Sequence, residues 1–157
     1  MKPSGGRAAN FFCQKISSRM AEADSVCQKI RTLLQNNTVR QVCFAVELLA
    51  RECVNNAVIH GNRNNANKAV TVRLWVGREW IRLQVGDEGS GFAWRQTCRK
   101  RLDATATSGR GLQLYGLYAE RIRFNRCGNQ ITLWIRKKGP IRKGPIRKED
   151  GNGCIRH

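Results

Sequence analysis

A chain of 157 residues, 41% apolar and 25% charged, suits one soluble globular domain with its own core. No apolar run nears the roughly 20 residues that span a bilayer, and the basic start, Met1–Asn10, leads only into Phe11-Phe12-Cys13, too short for a signal-peptide core. A membrane location is therefore not expected, and the cytoplasm is. The net charge of +18 favours an acidic partner such as a nucleotide or an acidic protein surface.

In chain order, residues 1–10 are rich in Gly, Ser and basic side chains and are expected to be disordered. Phe11–Ile16 reads as a short edge strand. Ala21–Gln35 has Ala23, Val26, Ile30, Leu33 and Leu34 at helical spacing, and Thr38 suits the cap of a second helix. That helix, Val39–His60, carries a core stripe of Val42, Val46, Leu49, Cys53 and Ala57. An Asn-rich loop follows. Val70–Val76 and Trp80–Val85 alternate apolar with polar residues around Gly77-Arg78-Glu79, which predicts a hairpin. A helix is expected over Gly111–Glu120, then a closing hairpin of Ile122–Asn125 and Gln130–Ile135. The tail, 137–157, repeats Gly-Pro-Ile-Arg-Lys in tandem and is expected to be disordered. The order predicts an α+β fold, a two-layer sandwich with helices on one face of a mixed, mainly antiparallel sheet.

Seven cysteines, an odd number without metal-ligand spacing, suggest neither a disulfide framework nor a zinc site. Basic residues are spread along the chain without a recognisable nucleic-acid-binding motif, so direct nucleic-acid binding is not expected.

Three clusters carry chemistry. Glu52 and Asn56 lie four apart on the second helix and share a face; a carboxylate can take a proton from a hydroxyl, and an amide oxygen suits Mg²⁺. His60, one turn on, is placed to reach phosphate oxygens. Asp87, at the end of a strand, leads into Gly89 and Gly91, which permit close backbone approach, and it can accept a hydrogen bond from an adenine amine. Gly109-Arg110-Gly111 opens a helix whose N–H groups suit an anion, with Arg110 adding charge. Each cluster alone has an ordinary reading as a polar helix face, a turn or a loop-to-helix joint. Neither a Walker A motif nor the Rossmann glycine pattern is present.

Together, in this order, the clusters resemble the N box and the two glycine boxes of the ATP-binding fold shared by DNA gyrase, heat-shock chaperones, histidine kinases and MutL. The stretch Glu47–Gly61, ending Asn-Asn-Ala-Val-Ile-His-Gly, is similar to the N box of bacterial anti-sigma-factor serine/threonine kinases. The resemblance covers residues 11–136. It implies ATP and Mg²⁺ as ligands, Glu52 as general base and Asn56 as magnesium ligand. Asp87 would meet adenine, with Gly89 and Gly91 shaping the pocket, and Gly109 and Gly111 would line the triphosphate. Arg95–Ser108, with its basic run Arg99-Lys100-Arg101, would be a lid. As partners it implies an antagonist protein as phosphoryl acceptor, a sequestered sigma factor and a second copy in a homodimer. Two other readings share these motifs: a non-catalytic, ATP-gated binding regulator and a histidine-kinase-like ATPase domain. Gly86, before the adenine Asp, and the basic tail depart from the family pattern.

Overall fold

The computed structural model describes residues 10–35, 40–95, 110–137, 147–150 and 154–156. The lid segment beyond Arg95, the cap residue Thr38, Gly109 and the first nine residues lie outside the described residues.

Strand β1 (Asn10–Ser17) is followed by helix α1 (Met20–Gln35), helix α2 (Arg40–Asn56) and a π-helical turn (Ala57–Gly61). Then come β2 (Ala69–Val76), β3 (Trp80–Asp87), helix α3 (Arg110–Tyr118), β4 (Arg121–Phe124), β5 (Gln130–Arg136), β6 (Arg147–Asp150) and β7 (Cys154–Arg156). The sheet order is β1-β2-β3-β5-β4-β7-β6, and each pairing among the described strands is antiparallel. The fold is the expected α+β sandwich.

The elements form where the apolar spacing places them. In α1, Ala23, Val26, Cys27, Ile30 and Leu34 are buried; Leu33, expected in this stripe, is only partly buried, and Cys27 takes the place beside Val26. The α2 stripe is buried as expected, joined by Ala45, Ala50 and Val54. Both helices cover the sheet face built by Val70, Val72, Leu74, Ile81, Leu83, Val85, Leu133 and Ile135, which belong to the same core. Strict alternation of buried and half-buried residues along β2 and β3 leaves the other face without a described helix.

One expectation is corrected. The second helix does not run as an α-helix to His60: Asn62 N–H donates to the Ala57 carbonyl at 2.8 Å, five residues back, and this widens the last turn. Such a bulge moves Gly61 against the end of β3. Among the described residues of the tail, β6 and β7 extend the sheet. The outer edge of β4 offers unpaired backbone groups, and β7 pairs with them in a register that sets Ile155 opposite Ile122.

Gly86 sits within β3 on the face without helices. A Cβ there would meet only the Gln130 side chain, at 3.4 Å and beyond, so no close approach requires glycine. Gly86→Ala is expected to raise stability by about 0.5–1 kcal/mol through reduced unfolded-state freedom. Urea unfolding of the two proteins measures this.

Candidate functional site

The first half of the site is the end of α2 with the start of α3. Asn56 Nδ2 donates to Glu52 Oε1 at 3.0 Å and to the Tyr115 hydroxyl at 3.0 Å. An amide nitrogen has two hydrogens, and both are now used. Among the described residues no donor reaches Asn56 Oδ1, so the amide is fixed with its oxygen left for a ligand. Tyr115, buried on α3, in turn bonds the Cys53 thiol. Burial pushes that thiol up to about 12 and the Tyr115 hydroxyl well above its ordinary value, so both stay protonated.

Gly111 completes this half. A Cβ there would lie 2.7 Å from Glu52 Oε1 and 3.2 Å from Asn56 Nδ2. Only glycine lets the first turn of α3 rest on the carboxylate–amide pair. Arg110 is the first residue of α3, while Gly109 lies outside the described residues.

The second half lies at the end of β3. Asp87 accepts a hydrogen bond from Gly89 N–H at 2.8 Å through Oδ1. A Cβ on Gly61 would run into the Asp87 carboxylate, and one on Gly89 into the Gly61 carbonyl. These glycines hold the carboxylate in a cradle of bare backbone. Burial raises the Asp87 carboxyl above its ordinary value, against the opposing effects of the Gly89 N–H and Lys68.

Gly91 also joins two loops. Its φ is +76°, and a Cβ would strike the Cys127 carbonyl; Gly128, at φ +81°, lies equally close to the Phe92 carbonyl. The two glycines interlock the loop after Asp87 with the β4–β5 turn. His60 is exposed on the π-helical turn, between the two halves in sequence.

Three amides, Asn62 buried and Asn125 and Asn129 half-buried, set the frame. Asn62, 1% exposed, donates to Ser18 Oγ at 2.7 Å and to the Ala69 carbonyl at 2.9 Å. Its oxygen accepts from Glu88 N–H at 2.9 Å. Asn129 donates to the carbonyls of Asp87 and Gly89 at 3.1 and 3.2 Å. Asn125 accepts from three successive N–H groups, of Gly128, Asn129 and Gln130. Their only sequence signal is Asn in loops, which is too common to single them out.

A nucleotide fits these residues: bare backbone surrounds an acceptor carboxylate in one half, and a preset amide oxygen lies under a helix N-terminus in the other. Among the described residues no group of three His, Cys, Asp or Glu side chains converges. A cation at Asn56 would therefore share its ligands with phosphate and water, as Mg²⁺ does. No helix among the described residues is long and apolar enough to cross a membrane.

No curated protein matches the chain. Residues 16–137 match the family model of the histidine kinase-like ATPase domain, a span that takes in all the described site residues and most of the chain. The chain belongs to the histidine kinase-like ATPase family, and its fold is an ATP-binding, kinase-like ATPase domain.

Proposed function

We propose that this domain is a protein serine/threonine kinase of the anti-sigma type, transferring the γ-phosphoryl group of ATP to a hydroxyl of an antagonist protein and sequestering a sigma factor. One observation carries the reading: Glu52 and Asn56 form a hydrogen-bonded pair directly beneath the first turn of α3. A carboxylate able to accept a proton, an amide oxygen suited to Mg²⁺ and helix N–H donors thus lie within one small region, which supports the reading.

Phosphoryl transfer depends mainly on positioning and charge neutralisation. In this reading Asp87 accepts from the adenine amine in the backbone cradle of Gly61 and Gly89. The opening of α3, with Gly109, Arg110 and Gly111, faces the phosphates, and His60 meets their oxygens from the π-helical turn. Glu52 orients the acceptor hydroxyl and takes its proton. Asn56 Oδ1 would hold Mg²⁺, which would offset phosphate charge. Tyr115 and Glu52 together keep that oxygen pointed outward.

Tyr115→Phe removes one of the two acceptors that fix the Asn56 amide. We expect a loss of about 1 kcal/mol in stability and a several-fold weaker magnesium dependence of nucleotide binding, with binding in the absence of magnesium nearly unchanged. Titration of ATP with and without the metal separates the two effects.

Incubation with labelled ATP, Mg²⁺ and the antagonist-type protein encoded nearest to this chain tests the kinase reading. Label on a serine or threonine of that protein is the expected result. Nucleotide binding without transfer would overturn it and leave an ATP-gated clamp.

A further inference from the structure

The face of the sheet opposite the helices carries a pattern that the ATP site does not use. Antiparallel register sets Phe11, Trp75, Arg82, Trp134 and Arg121 side by side in one row across β1, β2, β3, β5 and β4. The Phe11 and Trp75 rings lie 5.2 Å apart, and the Arg82 guanidinium rests 3.7 Å from the Trp75 ring centroid. Arg121 stacks on Trp134 at 4.8 Å, and in the neighbouring row Arg136 stacks on Trp80 at 4.8 Å. A parallel row adds Arg73, Gln84, Thr132 and Arg123. Three of the chain's four tryptophans stand on this one face.

Over β1 to β5 its charge is of a single sign. The outward positions of β1 to β5 hold Lys15 and five arginines, and not one Asp or Glu. Among the described residues, ion pairs reach it from the periphery, Glu88 to Lys15 at 3.3 Å and Glu120 to Arg136 at 3.5 Å, and the register places Asp150 of β6 in the row of Arg123, two strands away, with Arg156 and Arg147 in the row of Arg121. Among the described residues Arg73, Arg82 and Arg123 have no ion pair. A sheet built merely for stability would set opposite charges across its strands, since unbalanced like charge costs stability.

We propose that this face binds single-stranded nucleic acid. Guanidinium groups supply the phosphate contacts, while Phe11 and the tryptophans supply flat surfaces on which bases stack. Gln84 and Arg73 add polar groups beside them. An acidic peptide would satisfy the arginines but has no use for the rings. A second copy of the chain would set arginine rows against each other. The basic residues that look scattered in sequence, and raise no expectation of nucleic-acid binding there, are gathered by strand pairing onto one surface. Asp87 has the opposite parity on β3 from Arg82 and Gln84, so the ATP site opens on the other side of the sheet.

Fluorescence anisotropy with labelled oligo(U) and oligo(dT), together with quenching of intrinsic tryptophan emission, tests the proposal. Binding should weaken with salt, and Arg82→Gln and Arg123→Gln should each flatten the slope of log affinity against log salt by about 0.7. Trp134→Leu should lower affinity about 5- to 100-fold. ATP binding by the same preparations should stay at the wild-type level, which shows that the variants are folded; the arginine variants keep the test open if the tryptophan variant does not fold. The tighter of the two oligonucleotides identifies RNA or DNA as the ligand. Three results would each overturn the proposal: oligonucleotide binding indifferent to all these substitutions, equal binding of polyglutamate with the same arginine dependence and no tryptophan dependence, or an Arg82-dependent dimer with no oligonucleotide uptake.

Discussion

Glu52→Gln is expected to lower phosphoryl transfer by about 10²–10⁴-fold, the usual worth of a positioned general base, while ATP affinity stays nearly unchanged. Glutamine preserves the shape of the side chain and an oxygen that can still accept from Asn56 Nδ2, now at 3.0 Å from Glu52 Oε1. It also leaves Gly111 its contact. The substitution therefore removes charge and proton affinity and little else. Glu52→Ala should lose transfer as well, but it also frees the Asn56 amide to turn, and so it mixes two effects. Rapid-quench measurement of label transfer, paired with nucleotide titration, reads both quantities. Normal transfer by the glutamine variant would remove Glu52 from the chemistry.

Asp87→Asn should act on the other half of the site, and in two directions at once. Losing a charged acceptor for the adenine amine should weaken ATP binding by roughly 10- to 100-fold, the worth of about 1.5–3 kcal/mol for a hydrogen bond to a charged group. Stability of the nucleotide-free domain should rise. Burial holds the Asp87 carboxyl above its ordinary value, so the folded state binds that proton more tightly than the unfolded chain. Ionised Asp87 therefore detracts from stability at neutral pH. Its contribution improves as pH falls through the raised folded value and is complete below the ordinary carboxylate range. An uncharged amide, still able to accept from Gly89 N–H, avoids this cost at every pH. Thermal melts of wild type and variant at neutral and mildly acidic pH should show a gap that narrows toward acid. A less stable variant at neutral pH would show that the carboxylate is held by favourable contacts instead.

The periodicity of the sequence located both long helices and all four strands of the two hairpins, because one face of each is buried and the pattern must follow the geometry. It failed where a long-range contact decides the local structure. The α-helix gives way at Ala57 because Gly61 must approach Asp87, twenty-six positions later, and nothing near Ala57 announces that. The strands of the tail depend on the free edge of β4, and neither proline nor charge in the tail signals it.

The candidate site was legible in its chemistry and not in its support. Glu52 with Asn56, Asp87 with Gly89, and Gly111 stand out by spacing, and the structure brings them into two adjoining clusters. Tyr115, Asn62 and Asn129 do not stand out, since each acts through a partner dozens of residues away. Gly91 stands out as well, and its backbone freedom also serves the packing of two loops. The aromatic and basic face had the same obstacle. Alternation shows that Trp75 and Arg82 point away from the core, but only the register shows that they touch.

In the proposed function a nucleotide is held between the Glu52–Asn56 pair and the Asp87 cradle. Calorimetric titration of the folded protein with ATP and Mg²⁺ measures that directly. Saturable uptake of one nucleotide per chain, strongly reduced by Asp87→Asn, is the predicted result. No uptake up to millimolar ATP would contradict it.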